Sequence, residues 1–261
     1  MRTLLLALAL TLSAGATHAQ QAKLRDFCAE RPGKATPPCI LDAGHLQLEA
    51  GLADAVIDRS HGGHQETYTL GATELRFGLT PRVEVEVAWA PVVAVHAQGA
   101  GHRTGVGDTV LGLRGALTDP DKDGLAISAQ GFVTAPTATR GMGAGGWTGG
   151  VRLPVSAPLA KDTDFGLTPE IDVVRDADGH GAHLAWIGVA GLSHGFGRLT
   201  LGTELWGEVD DDPAGRVHQA SADLTAALAL GDDAQLDAGL NLGLTHATPD
   251  AEVYIGVARR F

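Results

Sequence analysis

Val83-Glu84-Val85-Glu86-Val87-Ala88-Trp89 places four apolar side chains on one parity and two carboxylates on the other. A helix would spread these residues over several faces. A strand, with its period of two, sends Val83, Val85, Val87 and Trp89 to one side and Glu84 and Glu86 to the opposite side. The same sorting recurs upstream, where Leu46, Leu48, Ala50 and Leu52 alternate with Gln47, Glu49 and Gly51. It returns near the end, where Leu236, Ala238, Leu240, Leu242 and Leu244 alternate with Asp237, Gly239, Asn241, Gly243 and Thr245.

Splitting the chain at its turn signals gives about twelve such segments of roughly 12 residues each. They begin near His45, Glu66, Arg82, Thr104, Gly124, Gly146, Thr163, Ala182, Arg198, Arg216, Gln235 and Asp250. The connections fall into two alternating sets. One is tight or strongly turn-coded, as in Thr80-Pro81-Arg82, Asp119 to Gly124, Ala160 to Thr163, Gly195 to Arg198 and Gly231 to Ala234. The other is longer and rich in Gly and His, around residues 59–65, 97–104, 137–146, 176–182 and 210–216, with His246 to Asp250 expected as its one short member. Short periplasmic turns and longer outer loops produce this alternation. The fold class expected is all-β: a single antiparallel transmembrane β-barrel of about twelve strands over residues 44–261. A soluble two-sheet sandwich would also alternate, but strands this long and even in number are unusual for it.

Residues 1–19 carry Arg2, an apolar stretch from Leu4 to Leu12, and small residues ending at Ala19, the pattern of a secretory leader cleaved after Ala19. Beyond it no apolar run is long enough for a membrane helix. Cys28 and Cys39 lie close together in the Pro-rich segment 20–43, which is expected in the periplasm or tucked into the lumen. In an oxidising compartment two such cysteines form a disulfide, whereas alone they are only half a zinc site. The 31 acidic residues outnumber 19 basic ones, net −12, which argues against nucleic acid as a partner.

Several stretches carry a family resemblance. Glu74-Leu75-Arg76-Phe77-Gly78-Leu79-Thr80-Pro81-Arg82-Val83-Glu84-Val85 resembles a hairpin of the outer-membrane transporter family named for the meta-pathway of phenol degradation. Asp42 to Glu49, Gly105 to Thr109, Val133 to Thr137 and the tail from Asp237 to Phe261 are similar to it as well, so the likeness covers most of the chain after the leader. Ala138 stands where that family often has Gly after Pro-Thr. The resemblance implies an outer-membrane barrel and, more loosely, transport. The terminal Phe261, on a last strand with Val253, Ile255, Val257 and Arg259 on its parity, is similar to the signal such barrels present to their assembly machinery.

If the apolar parity meets lipid, the other lines the lumen. Its acidic candidates are Glu49, Glu74, Glu84, Glu86, Glu170, Asp172, Glu204, Asp223, Asp237 and Glu252, and its basic ones Arg76, Arg114, Arg152 and Arg260. Two uses are open: an ion-pair network filling a narrow barrel, or a constriction whose acidic excess favours cations or amine-bearing solutes. His61, His64, His180 and His183, with Asp176, Asp178 and Asp210 to Asp212 nearby, are candidate metal ligands at the outer mouth. Asp119, Asp121, Asp123 and Gly124 mimic the start of a calcium loop, although Gln130 holds the place of its closing Glu. Ser193-His194, and Ser221 near His218, are weak candidates for a nucleophile with its base. No cofactor motif is present. The functional expectation is passive diffusion of a small solute through a channel, with a plugged structural or ligand-binding barrel as the alternative.

Overall fold

The computed structural model describes residues 24–59 and 63–261. The leader at 1–19 and the candidate ligand His61 fall outside those residues. Sixteen strand segments form one antiparallel sheet that closes on itself: β1 (Leu46–Asp58), β2 (Gln65–Leu70), β3 (Ala72–Thr80), β4 (Val83–Trp89), β5 (Val92–Ala97), β6 (Gly101–Gly105), β7 (Thr109–Ala116), β8 (Ala126–Ala135), β9 (Thr148–Arg152), β10 (Val155–Ala160), β11 (Thr163–Arg175), β12 (Ala182–Phe196), β13 (Leu199–Asp210), β14 (Val217–Ala229), β15 (Ala234–Gly243) and β16 (Ala251–Arg260). Four consecutive pairs, β2–β3, β4–β5, β6–β7 and β9–β10, are single crossings with a break. Gly71 at φ +69°, Ala90-Pro91, Val106 to Asp108 and Leu153-Pro154 mark the breaks. Twelve crossings result, the number that the turn signals predict.

Closure joins β1 to β16, from Gln47 opposite Arg260 to Ile57 opposite Ala251, with a register shift between Gly51 and Ala53. The last residue takes part: Phe261 N donates to Leu46 O at 2.7 Å, and Leu46 N to Phe261 O at 3.3 Å. Among the described residues only the short β6, at the outer end, lacks a strand on one side, so the closed ladder satisfies the backbone through the spanning part of the wall.

The parity partition holds. Glu84 is fully buried, Glu86 is 4% exposed and Asp237 2%, all pointing inward, whereas Leu113, Leu205, Leu224 and Val253 are more than half exposed on the outer surface. An apolar exterior around a polar interior is an inside-out arrangement for water and the right one for lipid.

At the end holding the barrel's termini the connections are short. Lys161-Asp162 and Gly197-Arg198 are two-residue turns in which Asp162 (φ +56°) and Gly197 (φ +67°) supply the positive dihedral that tight hairpins need. Residues 117–125 are the longest link at this end. At the opposite end the 98–100 connection, expected to be long, is a three-residue turn. Gly99 and Gly101, both with positive φ, let β5 continue straight into β6 (Ala97 opposite Gly101). The 244–250 connection, expected to be the short outer one, is seven residues long.

Candidate functional site in the lumen

Residues 24–42 lie inside the barrel, so of the two placements open for this segment the described part takes the lumen. Cys28 and Cys39 are bonded and close a short loop. Around that loop the inward side chains of β1, β3, β4 and β7 form one charged layer. Arg76 contacts Glu84 (2.7 Å), Glu49 (3.1 Å) and the Cys28 carbonyl (3.0 Å). Arg114 reaches Glu86 (2.9 Å), Glu84 (3.4 Å), Glu30 and the Pro37 carbonyl (3.2 Å). Both guanidinium groups are fully buried. Four carboxylates therefore meet two guanidiniums, all but Glu30 nearly or fully buried, and removing one partner of such a set costs about 3–5 kcal/mol.

The segment is held by its backbone too. Glu30 N and Arg31 N donate to Glu49 (2.9 and 3.1 Å), Leu41 N to Glu84 (2.7 Å), Lys34 N to Glu204 (2.7 Å), Gly33 N to the Tyr254 hydroxyl (2.9 Å) and Thr36 N to Thr168 Oγ1 (3.1 Å). Gly33 allows a close approach: with φ +105°, a Cβ there would sit 2.5 Å from a Glu204 oxygen. The loop thus satisfies with wall carboxylates the amides it would otherwise bury unpaired.

The other lumen candidates form smaller sets. Asp237 pairs with Arg31 (3.0 Å), and Arg260 with Asp233 (2.7 Å), while Arg260 also holds the Arg25 carbonyl (2.7 Å). Arg152 pairs with Glu170 (3.1 Å), donates to Thr36 Oγ1 and stacks over Phe132. Glu252 accepts from Asn241 at 2.6 Å. Glu74 stands in register opposite Glu49, Asp172 opposite Gly150, and Asp223 opposite Glu204 with Lys34 Nζ 4.0 Å away. Sequence reasoning missed the segment's own contributors, Arg25, Glu30, Arg31 and Lys34. The density of charge in a short Pro-rich stretch, six charged residues over 24–42, was the available signal.

Space remains beside the segment. Next to the short turns, residues 24–28 and 37–40 and the 116–126 region enclose a cavity of about 1080 Å³. Above it, about 150 Å³ lies between Ala35 to Pro38 and Phe165, Glu204 and Thr225, and about 250 Å³ lies nearer the outer mouth between Lys34, Trp206, Glu208, Ser221 and Glu252. Lys34 stands between the upper two. Its ammonium donates to Ser221 Oγ at 2.9 Å and lies 4.5 Å from the Trp206 ring centre. A further recess of about 520 Å³ flanks the Leu153-Pro154 break and is lined by residues of both parities, Arg152 and Glu170 with Val151 and Ile171.

The other expected sites come apart. Asp119 pairs with Lys122 and Asp121 with Arg25, and the Lys122 hydrogen bond holds the Asp119 carboxyl below its usual range. Gln130 is a buried lumen residue bonded to Arg114, so the calcium-loop pattern does not converge. Ser221 serves Lys34, and His194 Nδ1 faces Thr163 Oγ1 at 2.7 Å. Among the described residues neither Ser193 nor Ser221 hydrogen-bonds a histidine. The four candidate metal ligands do not gather either. His64 pairs with Glu66 at 3.0 Å, His180 is exposed in a turn, and only His183 meets a group of carboxylates, Asp176, Asp210 and Asp212.

With the closed barrel and its internal segment established, a family model described as "Putative MetA-pathway of phenol degradation" matches residues 29–261. The chain belongs to that family. The match begins inside the disulfide loop, so the family pattern includes most of the lumenal segment as well as the wall. Among solved structures, the COG4313 outer membrane channel from Pseudomonas putida F1 superposes with a TM-score of 0.72 at 16% identity, covering 88% of this chain and 99% of that one. The NanC porin gives 0.52 at 10% identity, with 82% and 98% covered. The translocator domain of the autotransporter NalP from Neisseria meningitidis gives 0.52 at 15%, with 84% and 90% covered. At such identities these likenesses speak for the fold, an outer-membrane β-barrel. No curated protein matches the chain significantly.

Proposed function

We propose that the protein is a passive outer-membrane channel for small polar solutes, narrowed by its own N-terminal segment. The observation that carries this reading is the space left beside the seated segment. A cavity of about 1080 Å³ lies at the short-turn end between the segment, the 116–126 region and Ser156 to Asp164, and cavities of about 150 and 250 Å³ lie against β13 nearer the outer mouth. The family and the solved channels of the same fold support it. Glu204, Glu208 and Glu252 border the upper two cavities against the single ammonium of Lys34, and such an excess favours cations and amine-bearing solutes. Phe261, tied by its backbone to the first strand, fits a role as the signal read by the assembly machinery.

The test is conductance in planar bilayers with purified, folded protein, with the reversal potential measured across a KCl gradient. Discrete steps with a cation preference are expected. Electrical silence would overturn the channel in favour of the plugged, structural barrel.

A further inference from the structure

The outer mouth holds a group of side chains that the channel does not use. Asp176 follows β11, His183 lies at the start of β12, Asp210 ends β13, and Asp212 lies in the loop beyond it. Asp176, His183 and Asp210 share the inward parity of their strands. His183 stands opposite Val174, and Asp210 opposite Ala185, so the three strands bring one imidazole into the middle of three carboxylates.

The ring is enclosed, with 6% of its side chain exposed. Its Nδ1 lies 2.8 Å from Asp176 Oδ1 and 3.8 Å from Asp212 Oδ2. On the other edge Nε2 is 2.6 Å from Asp210 Oδ1 yet makes no well-aligned hydrogen bond, a buried ring nitrogen left unsatisfied. Among the described residues His183 is the only cationic group within ion-pair reach of these carboxylates. Arg216 is drawn to Asp211, and Arg175 to the Gly179 carbonyl. Even with the imidazole protonated, the group keeps excess negative charge.

We propose that Asp176, His183 Nδ1 and Asp212 bind a divalent transition metal of the zinc class, with Asp210 orienting the ring through Nε2. Metal–ligand bonds of about 2.0–2.2 Å in a tetrahedron place donor atoms roughly 3.3–3.5 Å apart, and the separations of 2.8 and 3.8 Å straddle that value. The three donor atoms already lie within 4.8 Å of one another. A carboxylate on the far nitrogen of a metal-bound histidine is the usual second partner, fixing the tautomer and raising ligand basicity. Asp212 is set in place by the amides of Ala214 (2.6 Å) and Ala177 (2.7 Å), which fix its carboxylate beside the ring. Gly181 makes room, since a Cβ there would come within 1.9 Å of Asp176 Oδ2. Three protein donors leave a fourth position for water. Bound metal joins the 176–181 and 211–216 loops across the rim. This site stands apart from the channel reading and survives its failure.

Titration calorimetry of the purified, detergent-folded protein with ZnCl2, carrying no histidine tag, tests it. One site of micromolar or tighter affinity is expected, abolished in H183Q and in D176N/D212N, weakened about 10- to 100-fold in D210N, and unchanged in H64A and H180A. Should H183Q fail to fold, Co2+ added to the wild type answers alone, through visible d–d bands that Zn2+ displaces. No zinc heat with the wild type, equal binding of Ca2+ and Zn2+, or zinc affinity that survives H183Q would each overturn the proposal.

Discussion

Reducing the Cys28–Cys39 bond perturbs the lumenal segment without touching the barrel ladder. The sequence separation of 11 closes a loop of about 12 residues, whose chain-entropy contribution is about 3 kcal/mol at room temperature. That entropy is withheld from the unseated segment while the bond is intact. Reduction therefore lowers the seated segment's stability by about 3 kcal/mol, or roughly a hundredfold in the ratio of unseated to seated forms. Amide hydrogen exchange reads this ratio directly, because the amides of Lys34, Thr36 and Leu41 donate to Glu204, Thr168 and Glu84 on the wall and exchange only when the segment leaves. Mass spectrometry of peptides spanning residues 24–42, with and without a phosphine reductant, should show about a hundredfold faster exchange, while peptides from β11 to β14 keep their rates. Unchanged exchange after verified reduction would refute the idea that the loop is held as a closed unit. Equal acceleration in β11 to β14 would refute the independence of segment and barrel.

Two further substitutions probe the lumen and the lipid face. Lys34→Ala removes the ammonium standing between the upper cavities, so single-channel conductance and cation preference should both rise; a smaller or anion-selective current would contradict the path along β13. Leu205→Arg, at the middle of β13 and 62% exposed, should cost about 2–4 kcal/mol in denaturant unfolding from lipid vesicles, against about 0–1 kcal/mol for Leu199→Arg at the rim; equal costs would mean that β13 does not cross hydrocarbon.

What the sequence made legible follows from what constrains it. Each crossing meets lipid on one side and a charged interior on the other, and a period of two is the only way for one strand to serve both, so Glu84, Glu86 and Asp237 declare their face from sequence alone. The lumenal segment has no such period. Its contacts are set by position in space: Arg31 meets Asp237 and Gly33 meets Tyr254, more than 200 residues away. Register explains the mouth as well. Composition drew His64 and His180 into one group with His183, but His64 is satisfied two residues away by Glu66, and His180 projects from a turn. Parity on β11 to β13 selects Asp176, His183 and Asp210, a selection available only once the strands are aligned. The 98–100 turn escaped for a local reason, since Gly99 and Gly101 read as loop composition while their dihedrals close a hairpin.

The placement of charge also decides how a channel can coexist with a filled lumen. Ejecting the segment would strip Glu30 from Arg114 and amide donors from Glu49 and Glu84, exchanging fitted partners for water. Hydrogen bonds to charged groups are worth about 1.5–3 kcal/mol each, and several must be broken together, so a solute as small as the cavities admit cannot supply the energy by binding. The segment is accordingly a fixed part of the wall. In the proposed channel, passage lies beside it, along β13, where Lys34 reaches across with its ammonium held by one hydroxyl at 2.9 Å, one aromatic face and the Asp223 carboxylate at 4.0 Å. A flexible side chain so held moves at a cost of about 2–3 kcal/mol, small enough for thermal motion to open the route without unfolding the charged layer next to it.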